Sequence, residues 1–291
     1  TQILDLKYEA TEPAYQKYAE QAMEQTPQRE LTFCPGCPHR ASFWVLNEAL
    51  TMDNRQGFVC GDIGCYTLGA APCGFQTVKT SMSMGSGMGM ASGFGKLGLF
   101  GFDQPTMAVC GDSTFFHAVM PALVNAIHNQ SDTILVVLDN SGTAMTGFQP
   151  HPGIPVGADQ RPLPSLAIPE ICRALGARVE TSDPFDLEKT RAVIEDLIED
   201  TCGVRVLVLQ QACALSPEKK GQKRFEMMLD PALCLADECG CNRLCTRIFK
   251  GPGLKVDPES QKASIDEVIC TGCGVCASIC PSGAIKTRKV G

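Results

Sequence analysis

Basic residues are in the minority: 25 Lys and Arg stand against 32 Asp and Glu, a formal net charge of −7. Binding nucleic acid or an anionic membrane requires a basic face to offset phosphate charge, so no nucleic-acid partner is expected. The short cluster "KKGQKR" at 219–224 reads as a solvated linker. Long apolar runs are also missing. None reaches membrane length, and the N-terminal "TQILDLKYEATEPAYQKYAEQ" carries charges throughout, so neither a membrane span nor a secretory leader is expected.

Cysteine, by contrast, is abundant, with 17 in 291 residues. A secreted disulfide scaffold would be far shorter, and tightly spaced CxxC pairs disulfide-bond only under strain. Metal ligation accounts for most of them better, which implies a reducing, cytoplasmic setting. The length and the 44% hydrophobic content suit one large domain with a small appendage.

Residues 1–30 are polar and helix-prone, an arm or a packing helix. "CPGCPHR" (34–40) is a turn, followed by the helical pattern "ASFWVLNEAL". "GFVC" (57–60) reads as a strand leading into "GDIGC". From 106 the pattern alternates regularly. "TMAVC", "TILVVLD", "RVETS" and "VRVLVLQ" read as strands, and "FFHAVMPALVNAIHN", "PSLAIPEICRALGA" and "PFDLEKTRAVIEDLIED" as helices. The expected fold is α/β, a doubly wound parallel sheet with its ligand site at the carboxyl ends of the strands. Past Cys213 the composition turns Lys-rich, then Cys-rich. Three regions follow: an arm at 1–30, the α/β domain at 31–220 and a ferredoxin-like domain at 221–291.

Gly111, Asp112 and Ser113 end one predicted strand, and Asn140 ends the next. A carboxylate and an amide oxygen on neighbouring strand ends, beside a helix N-terminus, can seat a hard divalent cation that bridges a diphosphate. An ordinary strand-turn-helix explains the same letters. The spacing is similar to the thiamine diphosphate motif GDG…N, with Ser113 in place of the third residue. Gly142 is placed to offer a carbonyl to the metal, and Thr143, Met145 and Thr146 belong to the segment that would wrap the diphosphate. The stretch "SMSMGSGMGMASGFGK" (81–96), with Met84 and Gly85, reads as a poor strand and a poor helix start, so its glycines suggest close approach of backbone to a ligand.

Taken together, "CPGCPHR", "GDIGCYTLG", "SMGSGMGMASG", "GDSTFFHA" and "LDNSGTAMTGFQPHPG" closely resemble the thiamine-binding half of indolepyruvate ferredoxin oxidoreductases, within the 2-oxoacid:ferredoxin oxidoreductase superfamily. The resemblance runs from about residue 31 to the C-terminus. It implies thiamine diphosphate and Mg²⁺ held by Asp112, Asn140 and Gly142. The implied reaction takes an aryl 2-oxoacid, an arylpyruvate or arylglyoxylate, with CoA to acyl-CoA and CO₂ through a thiamine adduct. It implies a proximal cluster on Cys34, Cys37, Cys65 and Cys213, and it favours carboxylate binding by His39 and Arg40. His117 and His151 are expected near the diphosphate, and Cys60, Cys73, Cys110, Cys172 and Cys202 as small hydrophobes. The family's pyrimidine-binding domain has no counterpart here, so a partner subunit carrying it is expected, with ferredoxin or another electron-acceptor subunit, in a hetero-oligomer. The rival readings are an electron-transfer subunit without thiamine and a non-oxidative 2-oxoacid decarboxylase bearing a ferredoxin module.

The run Cys270, Cys273, Cys276, Cys280-Pro281 has CxxCxxCxxxCP spacing, in which the first three thiols hold one cluster and the fourth completes another. Upstream, Cys234, Cys239, Cys241 and Cys245 are available. Where the partner run should carry a Cys-Pro dipeptide, this chain has Gly251-Pro252. Up to three [4Fe–4S] clusters are therefore expected, one of them short of a ligand. A three-iron centre, a ligand from elsewhere and a labile cluster all remain open.

Overall fold

A computed structural model describes residues 13–27, 30–219, 221–239 and 244–290. Cys241 lies outside the described residues. The chain divides into a unit Thr1–Leu31, whose described part is helix α1 (Pro13–Gln25), and a compact unit Thr32–Gly291.

The larger unit is built on one six-stranded, all-parallel sheet. Its strands are β1 (Phe58–Gly61), β2 (Val78–Ser81), β3 (Thr106–Gly111), β4 (Thr133–Asp139), β5 (Arg178–Ser182) and β6 (Val204–Gln210), in the order β2-β1-β3-β4-β6-β5. Along each central strand the side chains alternate between two cores. Met107, Val109, Ile134, Val136, Leu138, Leu207 and Leu209 enter one core, and Ala108, Cys110, Leu135, Val137, Val206 and Val208 the other. A strand buried on both faces has to be apolar at every position, which is why "TILVVLD" shows no polar alternation.

Helices α2 (Pro38–Asp53) and α7 (Leu187–Glu199) cover the first face; α3 (Ser86–Phe94), α5 (Met120–His128) and α6 (Ile168–Ala174) cover the second. The short helix α4 (Asp112–Thr114) and a π-turn over Phe115–Val119 lead into α5. Asp186 caps α7 by accepting the Lys189 N–H at 3.3 Å.

Three expectations change. Strand β2 went unread because "VKTS" is a short edge strand in which only Val78 is buried. The glycine-rich stretch is a helix, α3. A Cβ on Gly87 would stand 2.7 Å from the Cys60 carbonyl oxygen, so this glycine lets the helix lie directly on β1 rather than on a ligand. Cys60, Cys73, Cys110 and Cys172 are buried, but Cys202 is exposed, just before β6.

The C-terminal residues form two antiparallel pairs, β7 (Phe225–Leu229) with β10 (Ile285–Lys289) and β8 (Leu254–Val256) with β9 (Ala263–Ile265), plus helix α8 (Val275–Ile279). Phe249, Val275 and Ile279 join the first core, where Trp44 meets the rings of Phe75 and Phe249 edge-on at 5.3 and 5.6 Å. The cysteine-rich module and the sheet therefore share apolar packing.

Candidate cofactor and cluster sites

Strands β3 and β4 end side by side at Gly111 and Asp139, and the turns that follow bring Asp112 and Asn140 to one cleft of about 210 Å³. It is lined by Gly111, Asp112, Ser113, Asn140, Gly142, Thr143, Met145 and Thr146, with Met84, His39, Cys65 and Tyr66 on the facing wall. Ten of the cofactor positions read from sequence concern this region, and all but Gly85 line the cleft directly. A Cβ at 111 would stand 3.0 Å from the Tyr66 ring, so any larger residue there would make that ring shift.

Asp112 is buried. Its Oδ1 accepts the Ser113 N–H at 2.7 Å and its Oδ2 the Gly142 N–H at 3.0 Å. His151 Nε2 lies 3.2 Å from the same Oδ2. His151 Nδ1 accepts the Gly153 N–H at 3.1 Å, which aims the ring, and its buried Nε2 makes no hydrogen bond. A carboxylate with unused lone pairs, an amide oxygen and a backbone carbonyl form an all-oxygen set that suits a hard divalent cation. The Gly142 carbonyl accepts the Ala144 N–H at 2.8 Å, which leaves it one further lone pair. The residues thus fit a metal–diphosphate group.

His39 lines the cleft, fully buried, with Nε2 3.3 Å from Asn140 Nδ2. If the amide donates, Nε2 is the acceptor and the ring proton sits on Nδ1. Burial lowers the His39 pKa to about 4, against the pull of Asp112, so the ring is neutral near pH 7. A neutral ring at this position can take part in hydrogen bonds but brings no positive charge to the cleft. Arg40 leaves the cleft altogether. Its Nη1 donates to the Phe249 carbonyl at 3.1 Å and its Nη2 to the Phe33 carbonyl at 2.7 Å and Thr32 Oγ1 at 3.0 Å. One residue on along α2 rotates a side chain by about a quarter-turn, so adjacent residues cannot both face one cleft. Arg40 instead ties the sheet domain to the cysteine-rich module.

Cys34 and Cys37 flank a turn closed by the Cys37 N–H to the Cys34 carbonyl at 3.1 Å. Burial pushes the Cys37 thiol up to about 12, with Cys34 and Cys213 adding to the rise, and Cys65 is raised by burial with Cys213 and Cys34 adding. The four thiols are thus electrostatic neighbours. Cys65 also lines the cleft. Among the described residues no three His, Cys, Asp or Glu side chains converge on a point fit for a single metal ion. A polynuclear cluster needs its thiols spread around its own volume, and the cleft set uses only one carboxylate, so neither arrangement requires such a point.

Sequence reasoning passed over Asp62 in "GDIGC". It is fully buried beside the cleft wall, with Oδ2 accepting the Gly85 N–H at 3.0 Å and Oδ1 without a partner, and burial raises its pKa to about 6. Gly85 accordingly serves Asp62 through a backbone turned into the left-handed region, φ +83°. His117 stays at the surface, its Nδ1 2.7 Å from the Ser113 carbonyl.

In the cysteine-rich module, Cys234, Cys239, Cys245 and Cys280 line one depression, and Cys270, Cys273 and Cys276 another. The chain's residues 62–208 match the family described as thiamine pyrophosphate enzyme, C-terminal TPP binding domain, and residues 263–286 match the 4Fe-4S binding domain. The chain belongs to the thiamine pyrophosphate enzyme family. Its likeness to the thiamine-binding half of indolepyruvate oxidoreductases is borne out by curated relatives described as indolepyruvate oxidoreductase subunit IorA. That of Pyrococcus horikoshii is 39% identical over 95% of this chain and 43% of its own length, and that of Methanothermobacter thermautotrophicus 38% identical over 91% and 41%. The Archaeoglobus fulgidus protein is 35% identical over 97% of this chain and 43% of its own. This chain therefore spans under half the length of these relatives. A solved 2-oxoglutarate:ferredoxin oxidoreductase from Magnetococcus marinus shares the fold, with a TM-score of 0.53 at 16% identity over 64% of this chain and 66% of that one. No helix among the described residues is long and apolar enough to cross a membrane.

Proposed function

We propose that the chain is the diphosphate-binding and electron-outlet part of a CoA-dependent 2-oxoacid oxidoreductase that converts an aryl 2-oxoacid to acyl-CoA and CO₂. In this reading residues 31–220 carry thiamine diphosphate with the proximal thiols and 221–291 are the ferredoxin-like module. Thiamine diphosphate, when bound, supplies the electron sink that loss of CO₂ from a 2-oxoacid requires. Asp112, Asn140 and the Gly142 carbonyl would hold Mg²⁺ on its diphosphate, with the first turn of α4 offering N–H groups to the phosphate oxygens. His39, kept neutral by burial, orients the Asn140 amide. Cys34, Cys37, Cys65 and Cys213 would hold the cluster that takes electrons one at a time, and the C-terminal thiols would hold those that pass them on.

The observation that carries this reading is Cys65, which lines the same cleft as Asp112 and Asn140 while neighbouring Cys34 and Cys213. A thiol set against the cofactor cleft suits an oxidative outcome and has no use in plain decarboxylation. The relatives are described as subunits, which supports a hetero-oligomer; a partner with the pyrimidine-binding domain and a terminal electron acceptor are the remaining parts of this reading. Their name favours an arylpyruvate as substrate. The test is anaerobic purification with all co-purifying partners, followed by a panel of 2-oxoacids with CoA and a low-potential dye while iron and thiamine are counted. Acyl-CoA formed with dye reduction is the expected result. Aldehyde without dye reduction would refute the oxidative reading, and iron without thiamine would favour an electron-transfer subunit.

A further inference from the structure

The two cysteine depressions of the C-terminal module differ in what completes them. The first carries four described thiols. Two of these already accept backbone N–H groups, Cys239 Sγ from Leu244 at 3.3 Å and Cys234 Sγ from Ala263 at 3.5 Å. Such bonds support thiolate charge at a cluster. The second depression carries Cys270, Cys273 and Cys276, and the remainder of its wall includes Gly251, Pro252, Gly253 and Arg40. No carboxylate or imidazole lines it among the described residues. Cys37 also lines it, but the thiols that raise its pKa are Cys34 and Cys213, the set it shares with Cys65.

Nothing in the backbone forbids a ligand at 251. Gly251 does not adopt positive φ, and an added Cβ would meet Leu254 Cδ1 at 3.0 Å, the far end of a flexible side chain. Among the described residues, the lack of a thiolate at 251 is thus a matter of residue choice rather than of backbone geometry.

We propose that Cys270, Cys273 and Cys276 hold a cluster whose fourth iron has no protein thiolate and is exchangeable, so that the site interconverts between [3Fe–4S] and [4Fe–4S] with ferrous ion as its ligand. This rests on reading the module as a cluster carrier. Removal of one electron by ferricyanide converts [4Fe–4S]²⁺ to [4Fe–4S]³⁺, which releases Fe²⁺ and leaves [3Fe–4S]⁺. One electron from dithionite and one Fe²⁺ restore [4Fe–4S]²⁺. The thiolates stay bound throughout, and the iron that leaves is the one facing Gly251.

The full chain, purified anaerobically with its co-purifying partners, is titrated with ferricyanide and followed by electron paramagnetic resonance and by assay of released Fe²⁺. The expected result is a three-iron signal that Fe²⁺ with dithionite abolishes, and that is lost in Gly251→Cys while the remaining iron–sulfur spectrum is unchanged. Gly251→Ser, a smaller change, should weaken the signal if the cysteine variant does not fold. The proposal is overturned if the wild type keeps all its iron under this oxidation, or if the signal appears only in Cys241→Ala, which would make Cys241 the fourth ligand. A preparation with no iron–sulfur spectrum from the module would overturn the reading beneath it as well.

Discussion

The Asn140 carbonyl accepts the Cys213 N–H at 3.0 Å, while the Asn140 side chain meets His39 across the cleft. One residue therefore touches the cleft through its side chain and the Cys213 backbone through its carbonyl. Asn140→Ala keeps the second contact and deletes the first. Loss of a contact to a charged group costs about 3 kcal/mol, so thiamine diphosphate–Mg²⁺ binding should weaken roughly 100-fold with iron content unchanged. Titration calorimetry with iron analysis reads both, and parallel loss of iron would show that the two sites are not separable.

His151 faces Asp112 Oδ2 but is not among the residues that line the cleft. Residues that support a metal ligand cost roughly 10–100-fold in metal affinity when removed. His151→Ala should therefore raise the Mg²⁺ concentration needed for thiamine diphosphate binding within that range, and an unchanged requirement would remove His151 from the site.

Arg40 holds two buried carbonyls, those of Phe33 and Phe249. Arg40→Met leaves both unsatisfied, at about 1–3 kcal/mol each, and lowers the thermal midpoint. Arg40→Lys should rescue only part of this, because an ammonium cannot reproduce the planar fork. A carboxylate-binding Arg40 would instead raise KM for the 2-oxoacid at unchanged stability.

Gly36, at φ +67°, lies against Thr271, whose Oγ1 would stand 2.1 Å from a Cβ placed there. The Cys34–Cys37 and Cys270–Cys273 turns are thus packed face to face. Gly36→Ala should destabilise the chain. Adding Thr271→Ala should recover the steric part and leave about 1–2 kcal/mol of left-handed strain, measurable as a double-mutant cycle in denaturant.

Burial raises the Asp62 pKa from 3.8 to about 6. A carboxyl with a raised folded-state pKa lowers stability as pH rises, because the unfolded chain ionises first. The loss begins near pH 4, grows to about pH 6 and is constant above, with a ceiling of about 3 kcal/mol. Asp62→Asn removes this dependence, so the variant should gain on the wild type between those pH values. A difference that does not vary with pH would mean the carboxyl titrates normally.

Much of this was legible in the letters. Uninterrupted apolar strands between amphipathic helices dictate a doubly wound sheet, because only burial on both faces tolerates them. The Asp112–Asn140 pairing was readable because the ends of adjacent strands are neighbours in any such sheet. Strand β2 was not, since one buried valine in four residues makes no pattern. The glycines of α3 were readable as close approach but not as approach to a strand, because spacing does not name the surface approached. Asp62 was hidden because a carboxylate in a turn reads as solvated until burial is known.

What the sequence determined by itself is the inventory: the sheet, the diphosphate turn, the CxxC sets and the glycine at 251 in place of a thiol. These depend on local periodicity and on residue chemistry, which a linear string carries in full. Only the tertiary structure decided which way each group faces. Adjacent residues on α2 send His39 into the cleft and Arg40 into the module, and the turn after β1 brings Cys65 to the cleft that Asp112 and Asn140 line. Direction and long-range proximity come from packing, and packing is settled by the whole core at once.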